Sequence, residues 1–428
     1  MPGMHTPRLY LHIGEPKTGT TFVQETLWDN RAKLAARGVL LPGYSDRDHS
    51  RASRDLRSTR RPESDPAEKW QGEWDVLTGQ ALRAPRAAVI SDEVLAACQP
   101  DTADRAVRKL HAAEVHIVLT TRDIGSLLPA EWQETIKCRG TASWEQWLNH
   151  VIDIAPAADR RRHSWFWRVH DTMAILDMWS RHIPPEHVHV ITLPRQGPPE
   201  LLWERFASVL GIDSGGMSVR PVHANTSLGL AEVEFLRQMN GALSAEMPYW
   251  FYTRNIKRIL AHDVLITRPG KERLGLPSAH EAWAKDQAEV LIGRLRDSKY
   301  DLVGDLGDLL PQPATGRSFS TAGVTADQML EAAVCAAAAL ADHQFLESQP
   351  TGPRLPKPQG LRQRISRLEW TILNGPFAKR VLRNTSHLAA VRWLRVMIWR
   401  VLMHPGRHRG SPVPAGNADD ARSVAAEG

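Results

Sequence analysis

Residues 8–21 read RLYLHIGEPKTGTT. An apolar run (Leu9, Tyr10, Leu11, Ile13) enters a loop holding Gly14, Pro16, Lys17, Gly19, Thr20 and Thr21, and a helical pattern follows with Phe22, Val23, Leu27 and Leu34 on one face. That order predicts a strand, a tight turn and a helix N-terminus. Backbone N–H groups at such a turn converge on one spot, and the helix dipole adds partial positive charge there. With a lysine and threonines beside it, the turn suits a phosphate or a sulfate-like group. Gly14 and Gly19 have the glycine spacing of the Walker loop G-x-x-x-x-G-K-[ST], but Thr20 stands where that loop has its lysine, and Lys17 lies inside the turn. A simple anion fits such a loop better than a magnesium triphosphate.

Two more strand ends carry charged residues. VHIVLTT (115–121) reads as a buried parallel strand, with Arg122 and Asp123 at its carboxyl end and a helical segment, SLLPAEWQETIKC, beyond. Ligands of open α/β sheets bind at the carboxyl ends of strands, which suits Arg122 to a second phosphate. RAAVISDEVLAAC (86–98) holds a short buried strand, Ala87 to Ile90, that ends in Ser91, Asp92 and Glu93. A carboxylate there can take a proton from an attacking hydroxyl or amine within hydrogen-bond reach. The plainer alternative makes Ser91 or Asp92 a helix cap and Glu93 an ordinary first-turn acid. His12, His163, His170 and His223 are the other candidate bases.

PKTGTT after a first strand resembles the 5′-phosphosulfate loop, PK-[ST]-GTT, of sulfotransferases that use 3′-phosphoadenylyl sulfate (PAPS). The resemblance implies that Lys17 contacts the oxygen bridging phosphate and sulfate, with Thr18, Gly19, Thr20 and Thr21 around the 5′-phosphate. It extends to Arg122-Asp123, similar to the family's Arg-Asp or Arg-Asn pair at the 3′-phosphate. The family's serine eight residues beyond the arginine is Ala130 here, and Ser126 is the candidate to replace it. Ser91-Asp92-Glu93 resembles the S-x-E pattern of glycan-type members, which implies Glu93 as base and Asp92 as second choice. The stretch LWERFASVLGI also resembles the family. The likeness covers about residues 8–240 and is strongest at 14–21. It implies a P-loop-like α/β fold with a central parallel sheet flanked by helices. It further implies PAPS as co-substrate, no metal, and sulfuryl transfer to a hydroxyl or amine of a small-molecule, lipid or glycan acceptor. Two alternatives are a P-loop nucleotide kinase, against which the missing Walker lysine speaks, and a non-catalytic binding protein of the same fold.

Chain length and composition bound the rest. The 428 residues can bury one large core with extra segments. Three cysteines, Cys98, Cys138 and Cys335, have no metal-ligand spacing and make no disulfide framework, and the N-terminal residues lack an apolar leader. A cytoplasmic setting is therefore expected. The net charge of +6 is uneven: residues 351–428 hold 14 Lys/Arg and 4 Asp/Glu, so the part before them is mildly acidic. The high isoelectric point thus belongs to the tail, and a nucleic-acid partner is not expected.

The domain plan follows: an α/β domain over 1–345, a Pro-rich linker over 346–360, a basic amphipathic helical tail over 361–405 and a disordered end over 406–428. In the tail, residues 385–403 mix Trp393, Leu394, Trp399 and Leu402 with Arg392, Arg395 and Arg400. Arginines make a spanning helix costly, at about 2.5 kcal/mol or more each. That leaves a helix lying on the inner membrane surface, or one packed on the main domain or a partner. Residues 44–70 read as a polar loop, residues 143–183 as two helical patterns joined by a segment with Arg160-Arg161-Arg162, and HVHVITL (187–193) as a strand. Trp132, Trp144, Trp147, Trp165 and Trp167 are either core residues or the lining of an acceptor site.

Overall fold

In β1 (Arg8–His12), Leu9 and Leu11 join one apolar core and Tyr10 another on the opposite face. Burial on both faces is why the strand reads as a continuous apolar run. The same holds for β3 (Ala87–Ser91), β4 (Glu114–Thr121) and β5 (Val188–Thr192). With β2 (Val39–Leu40) and β6 (Asp301–Val303) they form an all-parallel sheet in the order β2-β3-β1-β4-β5-β6. In this computed structural model, which describes residues 6–58, 70–219, 227–268, 272–312 and 320–348, helices cover both faces. The helices Thr20–Asp29 and Glu200–Val209 pack on the Tyr10 face, and Glu73–Ala81, Pro100–Lys109 and Thr172–Trp179 on the Leu9 face. This is the expected α/β fold.

β1 lies between β3 and β4, with His12 opposite Ser91 on one side and Val118 on the other. From β1 the chain goes first to the edge strand β2 and returns to β3 beside β1, then crosses β1 and builds outward on the other side through β4, β5 and β6. The carboxyl ends of β1, β3 and β4 therefore meet at the reversal point of the topology, the usual ligand position in such sheets.

A further core surrounds the helix Ile124–Lys137, where Leu128, Trp132 and Ile136 pack with Trp144, Phe166, Tyr252 and Leu260. Trp132 and Trp144 have no exposed surface and Trp167 has 3%. These indoles are core, stacked, tilted or edge-on against their aromatic neighbours, and do not line an acceptor site. Trp165 is the exception, about half exposed.

Three local expectations change. Part of the stretch that reads as a polar loop is the helix Asp46–Leu56, opened by a capping box between Ser45 and Asp48. Its buried face is only His49, Ala52 and Ser53, too small to show as apolar periodicity. Residues 143–183 hold four helices, Trp144–Ile154, Arg160–His163, Trp165–His170 and Thr172–Trp179. The three-residue β6 is too short to stand out in the sequence. The chain divides into units Met1–Leu346 and Glu347–Gly428. The helix Ala326–Ser348 takes in the first three residues of the expected linker 346–360. The rest of that linker, the tail over 361–405 with its membrane stretch 385–403, and the segment 406–428 lie outside the described residues, as do His223 and Asn225. Among the described residues no helix is long and apolar enough to cross a membrane.

Candidate active site

The turn after β1 is pinned to the neighbouring strands. Glu15 N–H donates to Thr120 O at 2.7 Å, and Thr120 N–H returns a bond to Gly14 O at 2.7 Å. Gly14 has φ +107°, and a Cβ there would stand 2.9 Å from Glu93 O, so glycine lets the loop lie against the end of β3. Gly19, at φ +86°, opens the helix Thr20–Asp29 and is packed against Leu202 and Leu193. Lys17 sits between them at φ +63°, in the left-handed region that costs a non-glycine residue about 1–2 kcal/mol.

The expected phosphate-loop residues divide in two. Thr18 is fully buried; its hydroxyl donates to Glu15 O at 2.5 Å and contacts Thr120 Oγ1 at 2.6 Å, so only its backbone can face an anion. Thr20 Oγ1 donates to Glu93 Oε2. Thr21 is exposed on the first turn of the helix. The structure thus brings Glu93 onto the loop that holds Lys17. Burial is the largest influence on Glu93 and raises its pKa; Thr20 and Lys17 work against that.

Asp92 has a different place. It is 6% exposed and caps the turn Glu93–Ala97 by accepting from Val94 N–H at 2.9 Å. Burial pushes its pKa up to about 6. The capping role open to this stretch belongs to Asp92, while the Glu93 side chain turns to the loop.

Lys17 Nζ donates to Glu134 Oε2 at 2.6 Å. Lys137 reaches that oxygen at 2.9 Å, and Lys257, from the helix Thr253–Val264, reaches Glu134 Oε1 at 2.7 Å. Burial alone would raise Glu134, but the three ammoniums overcome it and hold the carboxyl well below its ordinary range. For Lys17, burial disfavours the charge, and Glu134 and Glu131 more than offset it, so the pKa is raised. Glu131, Glu134 and Lys137 recur every third residue on the helix that follows Arg122, a one-face spacing that the sequence displays and that marks this cluster.

A second charged chain lies beneath. His170, 6% exposed, contacts Glu15 Oε2 through Nδ1 at 3.4 Å and Glu131 Oε2 through Nε2 at 3.5 Å. Thr172 Oγ1 donates to Glu15 Oε1 at 2.5 Å and Trp165 Nε1 to Glu131 Oε1 at 3.1 Å. Burial opposes charge on His170, but the hydrogen bonds and charges of Glu131 and Glu15 push its pKa up to about 9. An imidazolium donating from both nitrogens cannot serve as a base at neutral pH. His12 is excluded differently: buried between Ser91 Oγ at 2.8 Å and Thr120 Oγ1 at 3.3 Å, it is pushed down to about 3 by burial. His163 pairs with Asp159 at the surface.

His170 gives a stability prediction. The folded protein holds its proton more tightly than the unfolded chain, whose histidine titrates near 6.5. The resulting stabilisation is complete below that pH and is lost as pH rises through about 9. Replacing His170 by glutamine leaves Glu15 and Glu131 uncompensated and should cost about 3–5 kcal/mol near pH 6. Urea unfolding at several pH values should show the gap to wild type shrinking toward pH ~10, beyond the raised value of this histidine. A pH-independent gap contradicts the charge assignment.

Arg122 stands at the carboxyl end of β4, about a third exposed, with Nε 3.7 Å from Asp123 Oδ2. Burial lowers its pKa and Asp123 partly restores it. Asp123 itself caps the helix Ile124–Lys137, accepting from Ser126 N–H at 2.8 Å. Ser126 is half-buried in the first turn of that helix, as is Ala130 one turn further on. Of the basic run, Arg160 pairs with Asp171 at 2.7 Å and lies over the Trp167 ring, and Arg161 bonds Ala96 O. Those two arginines brace the fold.

A scan of protein-family models and a search of curated proteins give no match to this chain. Among solved structures, a sulfotransferase from Alicyclobacillus acidocaldarius is similar, at 16% identity and a TM-score of 0.34 over 51% of this chain and 88% of that one. At that level of likeness, the chemistry of the site stands on its own residues.

Proposed function

We propose that the chain is a PAPS-dependent sulfotransferase acting on a hydroxyl, or less readily an amine, of a small-molecule, lipid or glycan acceptor. The observation that carries this is the joining of Lys17 and Glu93 on one loop at the centre of the sheet's carboxyl edge, through the Thr20–Glu93 hydrogen bond. Glu93 takes the acceptor's proton as its oxygen attacks sulfur in line with the leaving group. Lys17, the loop N–H groups and the helix N-terminus stabilise the charge that grows on the departing phosphate oxygen. Glu134 holds the ammonium of Lys17 in place between turnovers. Arg122 and the first turn of the helix Ile124–Lys137, with Ser126, take the 3′-phosphate. The raised pKa of Glu93 supports its role, since a carboxylate moved toward neutral pH is a stronger base.

Equilibrium binding tests the assignment. Adenosine 3′,5′-bisphosphate should bind in preference to ATP–magnesium, and incubation with PAPS and a cell extract should yield a sulfated product by mass spectrometry. Preference for ATP–magnesium would make the chain a phosphotransferase; no binding of either would make it a non-catalytic relative of the fold. Arg122→Ala should weaken adenosine 3′,5′-bisphosphate about 10–100-fold, the loss of a charged hydrogen bond worth about 1.5–3 kcal/mol. The same variant should leave adenosine 5′-monophosphate, which has no 3′ group, nearly unchanged. Equal losses for both ligands would remove Arg122 from the 3′ position.

A further inference from the structure

The opposite, N-terminal edge of the sheet carries a chain of side chains that the proposed reaction does not use. His189 stands opposite Val118 of β4 and opposite Asp301 of β6. Asp301 Oδ2 lies 2.7 Å from His189 Nδ1, His189 Nε2 lies 2.8 Å from His116 Nδ1, and His116 Nε2 lies 2.9 Å from Glu114 Oε1. His187 stacks on His116 with ring centroids 4.4 Å apart, and its Nε2 is 4.0 Å from Glu114 Oε1.

These contacts have a proton count. Two neutral imidazoles bring two N–H groups, and three short contacts need three. If His189 donates to Asp301 and His116 donates to His189, the bare lone pair of His116 Nε2 faces a carboxylate oxygen. Reversing both donors only moves the same conflict to Asp301. One electrophile is missing from the chain, and it belongs where the chain opens to solvent. Both ends open to solvent, Asp301 at 48% and Glu114 at 35%, but among the described residues only the Glu114 end has another imidazole, His187, beside its carboxylate.

We propose that Glu114, His116 and His187 bind a divalent transition-metal ion of the zinc class. Their ligand atoms all lie within 4.8 Å of one another. Ligand atoms about 3.0–3.5 Å apart are what metal bonds of about 2.0–2.2 Å require, so a small turn of the His187 side chain completes the set. Imidazole and carboxylate together suit zinc, cobalt or nickel better than magnesium or calcium. His189 and Asp301 orient His116: Asp301 accepts from His189, which accepts from His116 Nδ1–H, leaving His116 Nε2 for the ion. Arg8 Nε also donates to Glu114 Oε1, at 3.0 Å, and this exposed arginine shares the carboxylate or gives way. Glu114 and Arg122 stand about 26 Å apart along β4 at ~3.3 Å per residue, so the ion would tie β4 to the turn Pro185–His187 that leads into β5 at one rim and take no part in transfer at the other.

Calorimetric titration of chelator-treated full-length protein with zinc chloride should find one ion per chain and a rise of several degrees in unfolding temperature. Cobalt(II) at the same site should give visible absorption bands of a four- or five-coordinate ion. His187→Ala and Glu114→Gln, both at partly open positions, should each weaken zinc at least ~10-fold, and His189→Gln about 10–100-fold through the orientation of His116. Zinc binding that survives Glu114→Gln and His187→Ala unchanged would place the ion elsewhere, for example on a thiol, and overturn the proposal. So would an absence of binding together with a nuclear magnetic resonance titration showing an extra proton held by the His116–His189 pair at neutral pH.

Discussion

Lys17→Ala should lower turnover at saturating PAPS by about 10²–10³-fold, the usual effect of removing one donor from a developing oxyanion. The fold should survive, because Glu134 keeps Lys137 at 2.9 Å and Lys257 at 2.7 Å and is not left as an unpaired buried charge. Lys17→Gly sharpens the test. It relieves the positive φ of residue 17, so it should unfold no earlier than Lys17→Ala while remaining as inactive. Rates by product formation and unfolding midpoints by circular dichroism separate the two effects. Unchanged turnover in either variant would strip Lys17 of its role.

Glu93→Gln should lower turnover by about 10²–10⁴-fold, the range of a lost general base, and leave nucleotide affinity nearly intact. The substituted amide keeps the length of the side chain and an oxygen that can still accept from Thr20, so the loop should keep its shape. The pH profile adds an independent readout. Burial raises the Glu93 pKa, so wild-type turnover should fall as pH drops through a value above the ordinary 4.5 of a glutamate. Weakened nucleotide binding with turnover preserved would move the base elsewhere, with Asp92 disfavoured because it caps the adjoining turn.

The parallel sheet is legible because buried strands such as VHIVLTT are apolar on both faces and end in polar turns. β6 and the helix Asp46–Leu56 are not, one for its three residues and the other for its narrow buried face. For the site, glycine and lysine spacing marks the loop as a candidate and strand ends mark Asp92, Glu93 and Arg122; the preference for Glu93 over Asp92 comes from the resemblance to the S-x-E pattern. Nothing local to Thr18 shows that it faces inward, because its partner Thr120 is 102 residues away. Lys257 likewise reaches Glu134 across 123 residues, a contact that only the packed core around Trp132 brings about.

The helix Ile124–Lys137 carries Ser126 at one end and Glu131, Glu134 and Lys137 toward the other. At ~1.5 Å per residue, Ser126 and Glu134 are held about 12 Å apart along a rigid axis, fixed at its start by the Asp123 cap. In the proposed reaction the helix would act as a gauge bar, one rod setting both the seat of the 3′-phosphate and the anchor of Lys17. Under that assignment nucleotide grip and leaving-group stabilisation would be mechanically geared to each other, while the acceptor side around Glu93, carried by another strand end, would stand apart from that gauge.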